Sequence, residues 1–165
     1  MKTSGKIISL KKALALRAAL KRAGRKAVFT NGCFDLLHAG HIYSLEKARS
    51  FGDFLFLGLN SDASVRRLKG PSRPFNAAAD RAAVLAALQA VDAVIVFTQD
   101  TPLELIKALR PDVLVKGADY QDSAVAGAEF AGQVALVPLL RGRSTTALAA
   151  KMTAESKKAA KGGRK

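Results

Sequence analysis

The sequence predicts an α/β fold: a single Rossmann-like domain built on a mostly parallel five-stranded sheet with helices on both faces. Three observations carry that expectation. Five short runs, KAVFTN (26–31), FLFLGLN (54–60), AVIVF (93–97), DVLVKG (112–117) and QVALVPL (133–139), are apolar on both faces, the pattern of strands buried on two sides. Each run but the last leads into a helical segment or a long crossover, which parallel strands need because a tight hairpin cannot join them. The chain has 165 residues, a length that suits one compact domain and buries enough surface to fold without disulfides.

The elements follow in order. Residues 1–25 form a basic N-terminal segment expected to be helical, residues 26–152 the domain proper, and residues 153–165 a basic tail without apolar periodicity, expected to be disordered. After the first strand, Gly40 to Arg49 reads as helix. After the second, RRLKGPSRPFN (66–76) reads as a polar, proline-containing loop leading into the helix AAADRAAVLAALQA (77–90). Asn76 can cap that helix, Asp80 lies near its positive end, and Val84, Leu85 and Leu88 fall on one face. Thr101 supplies a cap residue, Pro102 a first helical position and Glu104 an acid three after the cap, so a helix runs to about Leu109. Residues 118–132 read as a loop or a short helix, and Ser144 to Met152 as a last helix.

Composition excludes several classes. Apolar residues make up 49% and charged residues 24% of the chain, which is neither disordered nor fibrous. No run reaches the about 18 apolar residues of a membrane span, so no membrane partner is expected. Cys33 is the single cysteine, which excludes an internal disulfide and suits a reducing, cytoplasmic compartment. The net charge of +14 is unevenly placed: residues 1–26 hold nine Lys/Arg and no acid, residues 151–165 six Lys/Arg and one Glu, and the stretch between is neutral. Such ends can attract RNA or an anionic surface with a steep salt dependence. No interleaved aromatics or zinc-finger spacing accompany them, so nucleic acid is not an expected partner.

In an open parallel sheet, ligands bind beyond the carboxyl ends of the strands. The unusual polar residues fall there: Asn31 to His41 after the first strand, Asn60-Ser61-Asp62 after the second, Lys116-Gly117-Ala118-Asp119 after the fourth, and Arg141 to Thr146 after the fifth. His38 and His41, three apart at a helix start, share one side of its first turn, where free N–H groups and the macrodipole favour anions. Ser144, Thr145 and Thr146, preceded by Arg-Gly-Arg, form a run of donors suited to a polyphosphate. Lys69, Arg73 and Arg81 surround a loop and can hold a second phosphate. Other readings stay open: ordinary histidines, a zinc site completed by Cys33 and Asp35, and a solvated basic face.

GCFDLLHAGH (32–41) resembles the first signature of the nucleotidyltransferase superfamily, Gly-x-Phe-Asp-x-x-His-x-Gly-His, and STT (144–146) resembles its second. Arg143 stands where that pattern has Cys or a small residue. Within the superfamily, LGLNSDASVRRLKGPSRPFN, RAAVLAALQAVD and PDVLVKGADY resemble the heptose 1-phosphate adenylyltransferases, and a stand-alone form without a sugar-kinase-like part is expected. The resemblance implies AMP transfer from ATP to D-glycero-β-D-manno-heptose 1-phosphate, giving ADP-heptose and pyrophosphate by direct in-line attack. It implies that Cys33, Phe34, His38, His41, Lys116, Gly117, Asp119, Ser144, Thr145 and Thr146 bind ATP, with His38 and His41 acting on the transition state. Asp35, Asn60, Lys69 and Arg81 would meet the sugar phosphate, Asp35 alternatively a hydrated magnesium. Mg²⁺ would ride on the nucleotide phosphates rather than in a protein cage. Cys33 is read as a packing residue without thiol chemistry. The family suggests a homodimer. Two alternatives are a cytidylyltransferase acting on a polyol or amino-alcohol phosphate, and a non-catalytic nucleotide- or RNA-binding protein.

Overall fold

A computed structural model describes residues 5–118, 125–138 and 140. Five strands, β1 (Ala27–Gly32), β2 (Phe54–Asn60), β3 (Ala93–Phe97), β4 (Val113–Gly117) and β5 (Gln133–Val137), form one sheet in the order β3-β2-β1-β4-β5. Every pairing is parallel, as the doubly apolar runs require. α1 (Leu10–Arg22) precedes β1, and α2 (Ala39–Arg49), α3 (Asp62–Lys69), α4 (Ala78–Ala87) and α5 (Leu103–Leu109) lie between the strands, with a 3₁₀ turn at Ala128–Phe130 before β5.

The pleat of each strand divides the core into two layers. Val28, Leu55, Leu57 and Val94 point to one side and pack with Leu45 and Ala48 of α2 and Ala82, Leu85 and Ala86 of α4. Ala27, Phe29, Phe56, Ala93 and Ile95 point to the other side, against Ala13 and Leu20 of α1 and Leu105, Ile106 and Leu109 of α5. The period of two in the strands and the 3.6 period in the helices therefore agree on both faces. At the outer edge, Val94 exchanges backbone hydrogen bonds with Lys6 and Ile8 (2.8 and 2.9 Å), which blunts an otherwise open strand. Arg17 fastens α1 by donating to the carbonyls of Leu109 and Arg110 and pairing with Asp112 at 2.8 Å.

The topology makes one crevice. The chain moves outward from β1 through β2 to β3, then returns by way of α5 to place β4 on the other flank of β1. β1 stays in register with β2 as far as Gly32↔Leu59, but its pairing with β4 ends at Phe29↔Leu114. Beyond that point β1 and β4 separate at their carboxyl ends, bridged by Thr30 Oγ1 donating to the Val115 carbonyl at 3.1 Å.

Several local expectations are corrected. Residues 66–69 belong to α3 rather than to a loop: Ser61 caps it, accepting from the Ser64 amide, and Asp62 occupies its first turn. Asn76 does not cap α4, whose N-cap is Ala77 without a side-chain bond. The Asn76 amide instead donates to the Asp35 carbonyl at 3.0 Å. On α4, Val84 is exposed while Arg81 is buried, because hydrogen bonding makes the buried guanidinium acceptable. The N-cap of α5 is Pro102, so the helix proper starts one residue later than the cap pattern implied. The C-terminal features (Arg143, Ser144, Thr145, Thr146, a helix over 144–152 and the tail) and Asp119 lie outside the described residues.

Candidate active site

The crevice between β1 and β4 opens into a cleft of ≈ 200 Å³. Of the residues expected to bind ligand, Cys33, Phe34, Asp35, His41, Lys69, Lys116 and Gly117 line it. They come from four places in the chain: the end of β1 and its exit loop, the first turn of α2, the last turn of α3, and the end of β4. The sheet brings most of them together because they end a strand, follow its carboxyl end or open the next helix, and α3 carries Lys69 to the same edge.

The exit loop is shaped by one unusual backbone. Phe34 has φ +45, a left-handed conformation uncommon for a bulky residue. That turn lays its ring over Gly32, where a Cβ would meet a ring carbon at 2.9 Å. The ring also sits 5.2 Å from that of His41, tilted by 57°. The next residue, Asp35, then turns inward and is 3% exposed. Its carboxylate pairs with Arg73 at 2.7 Å and accepts from the amides of Phe75 (2.6 Å) and Asn76 (3.3 Å). Asp35 thus ties the 73–76 segment to the floor of the cleft.

His41 has a defined chemical form. Burial, then the neighbouring His38 and Lys69, push its pKa down from 6.5 to about 4, so the ring is neutral near pH 7. Its Nδ1 accepts from the His38 backbone N–H at 3.4 Å, which assigns the ring proton to Nε2. A neutral imidazole with Nε2–H is a hydrogen-bond donor on the wall of the cleft. His38 stacks on it, ring centroids 3.9 Å apart, behind the residues that line the cavity.

Two lysines supply positive charge. Lys69 is exposed at the end of α3, close enough for its charge to add to the lowering of His41 and to oppose in part the raising of the Cys33 thiol by burial. Lys116 is 9% exposed and donates to Asn31 Oδ1 at the end of β1. Burial lowers its pKa from 10.5 to about 8. Burial likewise raises the Cys33 thiol above its usual value, the opposite of what activates a thiolate.

Arg81 and Asn60 are not brought to this cleft. Arg81 is 2% exposed and points inward. It donates to the carbonyls of Cys33 (2.5 Å), Asn60 (2.9 Å) and Asn76 (2.9 Å) and pairs with Asp62 at 2.7 Å. One guanidinium therefore joins the exits of β1 and β2 to the start of α3. Asn60 is buried and donates to Ser64 Oγ at 2.9 Å. Arg73, read with Lys69 as a phosphate group, is the partner of Asp35.

Sequence reasoning named no role for Thr30, Asn31, Ser44 or Val137, all of which line the cleft. Ser44 follows His41 by three residues on a helix, so the spacing that paired the two histidines could have found it. For metal binding, no group of three His, Cys, Asp or Glu among the described residues is placed to hold an ion, and the Asp35 carboxylate is already engaged.

Residues 29–157 match the model of the cytidylyltransferase-like family. The chain belongs to that family. This cytidylyltransferase-like chain is 61% identical over 126 residues to the bifunctional protein HldE of Sulfurimonas denitrificans, covering 76% of its own length and 26% of that protein. It is 57% identical over 154 residues to the bifunctional protein HldE of Mesorhizobium japonicum, covering 91% and 31%. The chain thus spans about a quarter to a third of the length of these curated relatives. Among solved structures, a lipopolysaccharide core biosynthesis protein from Thermoplasma volcanium superposes with TM-score 0.57 at 26% identity, over 73% of this chain and all of that one. A pantoate-beta-alanine ligase from Francisella tularensis shares the fold at TM-score 0.56 and 16% identity, over 82% of this chain and 67% of that one. No described helix is long and apolar enough to cross a membrane.

Proposed function

We propose that this chain transfers AMP from ATP to D-glycero-β-D-manno-heptose 1-phosphate, releasing pyrophosphate and forming ADP-heptose. The observation that carries the reading is the cleft at the β1/β4 crevice, where a neutral His41 donor and the cations Lys69 and Lys116 face one open volume. The similarity to HldE proteins supports the choice of heptose phosphate as acceptor.

The chemistry asks for positioning and charge stabilisation, not a protein nucleophile. An oxygen of the sugar phosphate attacks the α-phosphorus of ATP, and the bond from that phosphorus to the bridging oxygen of the β-phosphate breaks, leaving pyrophosphate in line. His41 Nε2–H donates to an oxygen of the α-phosphate, where negative charge gathers in the transition state. The amino-terminal end of α2 faces the same phosphates. Lys69, at the mouth, receives the incoming sugar phosphate; Lys116, with Gly117, holds the nucleotide from the floor. Cys33 and Phe34 contribute backbone and ring surface. His38 acts through its stacking on His41 and its backbone hydrogen bond, which keep the donor tautomer in place. Arg81 and Asn60, assigned by resemblance to the sugar phosphate, serve as internal ties that hold the acceptor side in shape. Ser144, Thr145 and Thr146 would take the β- and γ-phosphates, and Asp119 the ribose. Magnesium arriving with the triphosphate would neutralise charge on the leaving group.

The test is to incubate the chain with Mg²⁺, either ATP or CTP, and a panel of sugar and polyol phosphates, and to identify products by mass. ADP-heptose from ATP supports the proposal. A CDP-linked polyol would replace it with the cytidylyltransferase reading, and no pyrophosphate with any pair would leave a nucleotide-binding protein.

A further inference from the structure

The proposed reaction does not account for the basic leading segment. Residues 5–26 carry eight Lys/Arg and no acidic residue. Three of these cations are engaged internally: Lys6 donates to the carbonyls of Leu88 and Val91, Arg17 pairs with Asp112, and Arg25 donates to the Asp53 carbonyl. Lys11, Lys12, Lys21 and Arg22 are exposed and make no ion pair with any described residue. Beside them two large apolar side chains face outward, Leu10 at 42% and Leu14 at 38% exposure. At about 100° per residue, Leu14, Lys21, Lys11 and Arg22 share one arc of α1 about 100° wide, with Leu10 at its edge. Ala13 and Leu20 anchor the helix away from this arc and the Arg17 clasp holds its flank, so the basic face is presented on a fixed support.

Its position separates it from the cleft. α1 ends at Arg22 and leads into the first residue of β1, so Lys21, Arg22, Arg25 and Lys26 lie toward the amino ends of the strands. The cleft lies at their carboxyl ends. Leu10, at the other end of α1, lies beside Phe97, Thr98 and Gln99 at the carboxyl end of β3, but α1 packs on the sheet face opposite α2, whose His41 lines the cleft.

We propose that the outer face of α1 is a docking surface for an anionic lipid membrane. Positive charge complements acidic headgroups, and the three cations of the arc, Lys11, Lys21 and Arg22, each add to the attraction toward an anionic surface at moderate salt. Leu10 and Leu14 can enter the boundary between headgroups and acyl chains, as the apolar residues of interfacial helices do. Nucleic acid is disfavoured as the occupant because α1 carries no aromatic residue on which a base could stack.

The experiment is co-sedimentation of the full chain with phosphatidylcholine vesicles, with and without about 30 mol% phosphatidylglycerol, at about 0.05 M and 0.3 M salt. The proposal expects at least about tenfold stronger binding to the anionic vesicles at low salt, weakened at high salt and unchanged by saturating ATP. The variant Lys11→Glu/Lys21→Glu/Arg22→Glu should lose that about tenfold preference, and Leu10→Ser/Leu14→Ser should weaken it several-fold. Should the charge-reversed chain not fold by circular dichroism, the Gln variants at the same three positions give the same readout. A chain ending at Met152 should still bind. Equal binding to both vesicles, binding lost with residues 153–165 but kept in the α1 variants, release by ATP, or binding to an RNA oligonucleotide without binding to anionic vesicles would each overturn it.

Discussion

Replacing His41 with Ala removes one donor from the cleft and leaves the scaffold nearly intact, so its two effects can be separated. The imidazole lines the cavity, is stacked on His38 at 3.9 Å and touches Phe34 at 5.2 Å between centroids. Ring pairs of this kind contribute about 0.5–1.5 kcal/mol each, and a change of 1 kcal/mol moves the midpoint of a domain this size by about 2–4 °C. The variant should therefore melt a few degrees lower and remain folded at 25 °C. A donor aimed at developing charge is worth about 2.7–4 kcal/mol in the transition state, so turnover should fall by about 10²–10³ with a smaller change in KM. His41→Gln, which keeps an N–H donor in altered geometry, should recover part of the loss. The assay is steady-state pyrophosphate release with ATP and heptose phosphate, beside a thermal melt. Because the His41 pKa lies near 4, the wild-type rate should show no loss through pH 6.5 that His41→Ala removes. Turnover within about threefold of wild type in His41→Ala would refute the role assigned to this ring.

Lys69→Ala should raise KM for the sugar phosphate more than KM for ATP, measured by varying each substrate in turn; an equal rise moves Lys69 to the nucleotide. Lys116 must be cationic to hold phosphate, and its pKa near 8 lies below the usual 10.5, so kcat/KM should fall as pH rises through about 8. Over the same window, from about 8 to 10.5, the unfolded chain binds more protons than the folded one, so this lysine makes stability rise with pH. Both trends should vanish in Lys116→Met, read from kinetics and urea melts; their persistence would assign them elsewhere. Arg81→Ala leaves three carbonyls and Asp62 without their donor, which should destabilise the fold by on the order of 3 kcal/mol or more in urea melts, with little rescue by Arg81→Lys. A loss below about 1 kcal/mol would show that water replaces the clasp.

β2, β3 and β4 were legible because their burial leaves mostly apolar residues at those positions, and β2 and β3 match their sequence runs end to end; β5 was found from its apolar run although most of it is not buried. The helix α3 was hidden for the converse reason. It buries only Ser64 and Val65 and exposes Arg66, Arg67, Leu68 and Lys69, so periodicity had little to register, although Ser61 and Asp62 mark its start. On α4, the apolar pattern chose Val84 for the core and overlooked Arg81, because hydropathy cannot count the four acceptors that make a buried guanidinium favourable. The location of the site was legible from topology: residues after parallel strands converge on one edge, which puts His41, Lys69 and Lys116 around a common volume. The division of labour within it was not. Asp35, Arg73 and Arg81 look like ligand-binding residues in sequence, yet each is engaged by a partner 19 to 48 positions away, and only the folded chain shows which polar groups remain directed at the cleft.

The most direct test of the central claim is a crystal structure of the chain with a non-hydrolysable ATP analogue and Mg²⁺. The triphosphate should lie in the crevice between β1 and β4, with an α-phosphate oxygen within about 3.2 Å of His41 Nε2 and Lys116 on the nucleotide side. An analogue bound elsewhere, or one whose phosphates leave His41 and both lysines untouched, would contradict it.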